Sequence, residues 1–317
     1  MKRFAYTLLR FSLLPLVVWL LLEGTIAVQK QRLLSEEKLE KVFRHSGDNY
    51  QWVSSIQHPA KILLLGSSTV KYGLNCRLLD QLSEDSLSFM NLAANARDPI
   101  ESYFILRQID LAHVKAVYMG LDPWIYTKAY YKSRNGYLYL DMNFLTAARY
   151  GLKMDPKTLA GRYKGLVESF LPAAGKKTGT TEVPAGLGSG VLDRKPVNFN
   201  DSVHNKFKLD AYGWSELQFE YLQKIAAFCE SRHINFFVFY PPKRSDFIAD
   251  YKNYCSSIHT AFLDQLKRTG FHAPVLGSFE QLQPGGDSLF ADAYHLNAKG
   301  QDRYSRVFFE MITGKSP

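Results

Sequence analysis

Two short stretches near opposite ends of the 317-residue chain hold the residue types that hydrolytic and acyl-transfer chemistry needs. The first is Gly66-Ser67-Ser68, directly after the apolar run 61–65. A serine at such a strand-to-helix turn projects its hydroxyl at the edge of a sheet. The backbone N–H groups of the turn can then face an oxyanion forming on an attacked carbonyl. The second stretch is Asp292-Ala-Tyr-His295, followed by Leu296 and Asn297. An aspartate three residues before a histidine can accept the imidazole Nδ1–H, which fixes the tautomer and leaves Nε2 to take a serine proton. Taken singly, the first reads as a Ser/Gly turn or helix cap, and the second as a structural or exposed histidine. Together, at the two ends of a parallel-sheet pattern, they fit nucleophile, base and orienting acid: Ser68, His295 and Asp292. Ser67 and Cys76 are the rival nucleophiles, although nothing close to Cys76 in sequence marks an activating base. His204, His233, His259 and His272 are scattered, so neither a metal nor a cofactor is expected.

Such residues need a scaffold, and the hydropathy pattern supplies one. Residues 61–66, 87–92, 114–121, 234–240 and 274–276 are short apolar runs suited to buried parallel strands. Between them, 76–82, 100–111, 214–232 and 251–268 suit helices. Leu217, Tyr221, Ile225 and Cys229 recur at four-residue spacing, as on the apolar face of an amphipathic helix. Asn297 is placed to cap a last helix running to Met311. Strands alternating with helices make βαβ units, so the expected fold class is α/β, with a parallel sheet covered on both faces. That rhythm stops between residues 123 and 212. The glycine-rich stretch 175–190 predicts a flexible loop. Aromatic and basic neighbours such as Trp124, Tyr126, Tyr130, Arg149 and Tyr163 predict an insertion at about 123–212 that caps the carboxyl edge of the sheet, where open α/β folds bind ligands.

At the other extreme of the chain, Lys2, Arg3 and Arg10 precede the uncharged run 11–22. Counting from 6 to 28 reaches the ~20 residues a membrane span needs, with Arg10 and Glu23 close enough to its ends to reach the interface. We read 1–28 as a transmembrane anchor, 29–58 as a helical stalk or linker, and 59–317 as the α/β domain with its insertion. Basic residues before the span put the N-terminus in the cytoplasm and the domain outside. A cleaved signal peptide and a buried globular helix are the alternatives. A hydrophobic content of 46% with 22% charged residues excludes a chain dominated by disorder. The net charge of +9 fits a membrane surface or an anionic polymer; its basic residues form no dense run, and nucleic acid is not an expected partner. Three cysteines, Cys76, Cys229 and Cys255, are too few for a disulfide framework, and a Cys229–Cys255 bridge is left open.

Gly66-Ser67-Ser68 and Asp292-Ala-Tyr-His295 together resemble the SGNH, or GDSL-like, hydrolase superfamily. The resemblance implies a three-layer α/β/α, flavodoxin-like sheet and catalytic roles for Ser68, Asp292 and His295. Ser67 stands where relatives usually carry aspartate, which favours Ser68 over Ser67, and the Leu-Asn-x-x-Gly continuation runs through Gly300. Two departures bear on the oxyanion hole. The family's second block supplies a glycine, whereas Asn91-Leu-Ala-Ala-Asn95 has alanines, leaving Ala93 or Ala94 to offer a backbone N–H. The third block reads Gly-x-Asn-Asp, and this chain has Gly120-Leu121-Asp122-Pro123. An ionised carboxylate cannot donate and would oppose the developing charge. Either Asp122 is protonated or turned away, or Asn95 supplies the donor. Ala93, Ala94, Asn95, Gly120 and Asp122 are therefore the candidate oxyanion or substrate-binding positions. The anchored topology resembles the envelope acyltransferase branches, O-acetyltransferases and D-alanyl transfer proteins. That implies acyl transfer or ester hydrolysis on a cell-envelope glycan or polymer, in the periplasm, beside a multispanning membrane acyltransferase. A non-catalytic envelope scaffold and a secreted esterase or lipase are the other readings.

Overall fold

The computed structural model describes residues 2–33, 50, 52–127, 163, 183–192, 213–245, 251–277, 285–292 and 294–314. The chain divides into two units, Met1–Asn49 with Lys132–Gly179, and Tyr50–Tyr131 with Thr180–Pro317. In the first unit helix α1 runs Lys2–Leu33. Its window Phe11–Val28, of mean hydropathy 2.0, is long and apolar enough to cross a membrane, a test that a signal sequence also passes. Large apolar side chains lie bare along it, Leu14 and Leu21 among them. Glu23, inside the window, accepts a hydrogen bond from Tyr163 Oη at 2.9 Å. The helix outruns the anchor boundary expected at 28. Most of the expected stalk, and most of the insertion, lie outside the described residues.

The second unit holds the sheet. Helix α2 (Trp52–Ser55) comes first, with Trp52 and Val53 buried, so this unit takes in residues ahead of the boundary expected at 59. Strands β1 (Lys61–Leu65), β2 (Ser88–Asn91), β3 (Val114–Gly120), β4 (Asn235–Phe239) and β5 (Val275–Leu276) then pair in the order β2-β1-β3-β4-β5, every pair parallel. This is the flavodoxin-like order. Leu63, Leu64 and Leu65 are all fully buried, which is why β1 shows no polar alternation: both its faces are covered. Each such side chain contributes roughly 1.5–3 kcal/mol.

The chain steps from β1 to β2 in one direction and from β2 to β3 in the other. Right-handed crossovers therefore send the connecting helices to opposite faces. Helix α3 (Ser68–Lys71) is a single turn, and α4 (Cys76–Leu82) follows it towards β2. Helix α5 (Pro99–Leu106) leads towards β3 and packs on α6 (Glu216–Glu230), with Tyr103 and Phe104 against Tyr221. Helix α7 (Tyr251–Arg268) joins β4 to β5, and α8 (Ala298–Thr313) closes the chain. On the α4 and α8 face, Leu79, Tyr304 and Phe308 share a core with Leu64, Phe89, Tyr118 and Phe239. Asn75, Asp98 and Asn297 cap α4, α5 and α8 by accepting from Leu78, Glu101 and Gly300 N–H, each worth about 1 kcal/mol. Helix α5 stops short of the 111 expected. Beyond it, the Asp110 carboxylate accepts from Ala112 N–H at 2.9 Å, a local turn that competes with the helix.

Two parts of the expected insertion belong to this unit. The 3-10 turn Pro123–Tyr126 buries Tyr126 against Phe219 and Phe262, and Thr127 bridges antiparallel to Trp214. Tyr126 is thus a core residue rather than part of a cap. Residues 183–192, which take in the described part of the 175–190 stretch expected to be a flexible loop, form a turn docked beside β2. Asn91 N–H donates to Leu187 O at 2.8 Å, Gly190 N–H to Lys71 O at 2.9 Å, and Gln301 Nε2 to Gly190 O at 2.7 Å. A Cβ at Gly188, whose φ is +87°, would lie 1.9 Å from Asn91 O, so the docking needs glycine there.

The carboxyl ends of β1 and β3 approach through glycine as well. A Cβ at Gly66, where φ is +140°, would lie 2.6 Å from Val70 Cγ2; one at Gly120 would lie 2.1 Å from the same methyl and 3.1 Å from Pro241 Cγ. Gly120→Ala is therefore expected to cost roughly 1–3 kcal/mol by overpacking and to lower Tm by several degrees. Thermal denaturation followed by circular dichroism checks it; an unchanged midpoint would mean that Val70 gives way without cost.

Candidate active site

β1 ends at Leu65, and Gly66 and Ser67 turn the chain into α3. Ser67 is the N-cap, its Oγ accepting from Thr69 N–H at 3.3 Å. Ser68 is therefore the first helical residue, where a backbone N–H has no acceptor in the helix ladder. Its half-buried Oγ stands 2.8 Å from His295 Nε2, although 227 positions separate the two in sequence.

His295 sits on a loop folded back on itself. Between the 3-10 turn Asp287–Leu289 and α8, Phe290 and Leu296 bridge antiparallel, and Ala291 N–H donates to His295 O at 2.8 Å. Inside this loop both oxygens of Asp292 are used. Oδ1 accepts from Tyr294 N–H at 3.0 Å and His295 N–H at 2.9 Å, while Oδ2 lies 2.8 Å from His295 Nδ1. Burial pushes the Asp292 carboxyl up, but the hydrogen bond and charge of His295 and the two backbone donors outweigh it and hold it below the usual carboxylate range. An ionised Asp292 takes the Nδ1–H, which leaves the Nε2 lone pair for the Ser68 hydroxyl. The imidazole is flanked by the Tyr72 ring, edge-on at 5.5 Å, and by the Tyr294 ring at 4.4 Å. Tyr72 carries no sequence mark of this role. It is seated by Gly190, where a Cβ would come within 2.5 Å of its ring.

Geometry separates the two serines. Ser67 Oγ donates to Asp122 Oδ2, which turns its hydrogen away from His295. The same oxygen accepts from Thr69 Oγ1 at 2.6 Å, and Asp122 Oδ1 accepts from Lys243 Nζ. Burial would raise the Asp122 carboxyl, but the charge and hydrogen bond of Lys243, with those of Ser67 and Thr69, hold it below the usual range. Of the alternatives weighed for Asp122, protonation gives way to an ionised carboxylate committed to Lys243. Lys243 escaped the sequence reading because a lysine after Pro241-Pro242 looks like any basic loop residue.

The other candidate oxyanion positions divide. Ala93 N–H donates to Asn91 Oδ1 at 3.0 Å and Ala94 N–H to Gly66 O at 3.2 Å, so both amides are engaged within the fold. Gly120 is a packing position against Val70. Asn95 is exposed on the same loop as the alanines. That loop is held from behind by Arg97, buried to 1% exposure, which donates to Leu92 O and lies over the Tyr50 ring at 5.1 Å.

Elsewhere the structure is less suited to this chemistry. Cys76 and Cys229 are buried free thiols, both pushed up to about 12 by burial. The first is thereby unsuited as a nucleophile, and the second is not bridged to Cys255. Among the described residues no group of His, Cys, Asp or Glu is placed to hold a metal ion. A cleft of about 770 Å³ opens at the amino end of β4, lined by His233, Asn235, Phe271 and Pro274, and it holds none of Ser68, His295 and Asp292.

The folded pKa of Asp292 lies below its unfolded value, so the stability it contributes is present above the ordinary carboxylate range and is lost as pH falls through the folded value. Stability curves of wild type and Asp292→Asn, measured by circular dichroism, should stand apart at neutral pH and approach one another below about pH 4. A gap that stays constant through the acid range would contradict this electrostatic account.

No family model matches the chain, and no curated protein matches it. Among solved structures it is similar to a GDSL-like lipase from Bacteroides thetaiotaomicron, with 7% identity over 87% of this chain and 97% of that one, at a TM-score of 0.38. It is also similar to a protein assigned to the G-D-S-L lipolytic family from Desulfitobacterium hafniense, with 12% identity, 80% and 99% coverage and a TM-score of 0.38. A protein assigned as an acylhydrolase from Bacteroides fragilis gives 8% identity, 82% and 90% coverage and a TM-score of 0.37. The α/β unit itself carries a parallel sheet in the order β2-β1-β3-β4-β5, with the serine turn after β1 and the Asp-x-x-His loop ahead of α8.

Proposed function

We propose that this chain is a serine-dependent enzyme that transfers or hydrolyses acyl groups on a cell-envelope glycan or polymer, held outside the cytoplasmic membrane by α1. One observation carries the chemistry: Ser68 Oγ, His295 Nε2, His295 Nδ1 and Asp292 Oδ2 form a continuous relay with both gaps at 2.8 Å. Ser68 Oγ attacks the acyl carbonyl carbon while its proton passes to His295 Nε2. The tetrahedral oxyanion is met by Ser68 N–H and by the carboxamide of Asn95. Collapse breaks the bond to the leaving alcohol, which takes the proton from His295, and leaves an acyl-serine. Water or a sugar hydroxyl then attacks the acyl carbon, giving its proton to His295, which returns it to Ser68. Asp292 remains ionised throughout and holds the ring.

Charge distribution supports the setting. Residues 1–49 and 132–179 hold 17 Lys and Arg against 8 Asp and Glu, while the α/β unit holds 22 against 22. The whole excess of +9 thus travels with the membrane-apt helix, and none lies in the unit that carries Ser68. Such an excess favours an anionic envelope surface near the first unit. The basic residues ahead of the span favour an external domain. A multispanning membrane acyltransferase as acyl donor follows from the resemblance to envelope acyltransferases. The second reading, a non-catalytic envelope scaffold, is favoured by the engaged amides of Ala93 and Ala94 and by aspartate at 122.

Labelling the full-length, detergent-solubilised protein with a fluorophosphonate probe separates the two. Labelling is expected on Ser68, absent in Ser68→Ala and slowed by roughly 10³–10⁴-fold in His295→Ala and Asp292→Asn. A wild type that resists the probe would support the scaffold. Rapid turnover of 4-nitrophenyl acetate would shift the reading towards a simple esterase.

A further inference from the structure

Asp122 and Lys243 take no part in the proton relay, yet they are among the most buried charged groups of the α/β unit, at 1% and 4% exposure. Three loops at the carboxyl edge meet on the one carboxylate. The loop after β3 supplies Asp122, the loop after β4 supplies Lys243 to Oδ1, and the turn after β1 supplies Ser67 and Thr69 to Oδ2. Ser67 and Thr69 immediately flank Ser68. An ionised carboxylate only accepts, so both hydroxyls must point their hydrogens at it, and their rotamers are fixed. Lys243 provides the positive charge without which a carboxylate this buried would be expelled or protonated.

We propose that the Asp122–Lys243 ion pair is a clamp that positions the nucleophile, holding the Ser67-Ser68-Thr69 turn so that Ser68 Oγ stays within hydrogen-bond reach of His295 Nε2. Both are positioning residues. In this chain, aspartate in the third block serves the nucleophile turn rather than the oxyanion. The inference rests on the serine mechanism for its consequence in rate, but its structural content, the Ser68–His295 hydrogen bond, can be read without turnover.

The test compares the full-length solubilised wild type with Asp122→Asn, Lys243→Met and the double variant that removes both charges. Three quantities are measured: the rate of Ser68 labelling by the fluorophosphonate probe, Tm, and the imidazole ¹⁵N resonances of His295. Each single variant takes the opposite charge away from a buried charged group, so Tm should fall in both. The double variant should recover Tm, because both members of the ion pair are gone. Its labelling should nevertheless stay at least about tenfold slower than wild type, since displacements of about 1 Å at a reacting atom cost of that order or more. Its His295 resonances should move towards those of Ser68→Ala. A double variant with wild-type labelling and wild-type His295 resonances would overturn the clamp. Should the wild type resist the probe altogether, the serine mechanism falls, and the His295 resonances alone decide: unchanged in the double variant, they overturn the clamp; shifted, they uphold it.

Discussion

A carboxylate buried as deeply as Asp122 loses several kcal/mol of hydration, and that loss has to be offset by charge and hydrogen bonds supplied from the fold. The carboxyl edge of this sheet is arranged around that requirement. Lys243 neutralises the charge, and Ser67 and Thr69 fill the second oxygen. None of these partners is close to Asp122 in sequence, so the condition can be met only when β1, β3 and β4 lie side by side in register. Gly66 and Gly120 make that approach feasible. With Val70 pressed against both, any side chain there would force the strand ends apart.

His295 and Asp292 are built on a different plan, almost entirely local. Asp292 satisfies two backbone N–H groups and the imidazole within a span of four residues, and Asn297 starts α8 immediately afterwards. What remains is to deliver this prefabricated loop to Ser68, and α8 does so by packing. Tyr304 and Phe308 are buried on the sheet, and Tyr304 Oη donates to Tyr240 O at 3.0 Å. Gln301 on the same helix reaches Gly190 O, and Gly190 in turn abuts Tyr72, whose ring flanks His295. The orientation of the imidazole therefore depends on contacts from the turn at residues 183–192 as well as on Asp292.

Charge is distributed differently. The unit that carries the serine turn is balanced in Asp, Glu, Lys and Arg, and the unit that carries the membrane-apt helix holds the entire positive excess. A unit without net charge does not by itself select an anionic substrate. In the proposed reading, attraction to an anionic surface, which acts over about a Debye length, would fall to the first unit.

Much of this was written in features a few residues long. Apolar runs marked the strands to within a residue or two, because a strand buried on both faces admits few polar side chains. Asn297 marked a helix start, because a cap acts on N–H groups two or three residues away. Asp292 and His295 were legible as a pair for the same reason, and Gly66-Ser67-Ser68 as a turn after a strand, within which the family resemblance favoured Ser68. The errors fall where a residue's role depends on a distant partner. Tyr126 looked like part of a binding cap and is core; residues 183–190 looked like part of a free loop and are docked on β2. Ala93 and Ala94 looked available to an oxyanion, whereas their N–H groups are claimed by Asn91 Oδ1 and Gly66 O. Lys243 could not have been matched to Asp122 across 121 residues by any spacing rule. Local propensity and periodicity determine which segments become strands, helices and caps. Only the tertiary fold, by bringing separate loops to one edge and excluding water from between them, decided which polar groups meet there and which charge each must carry.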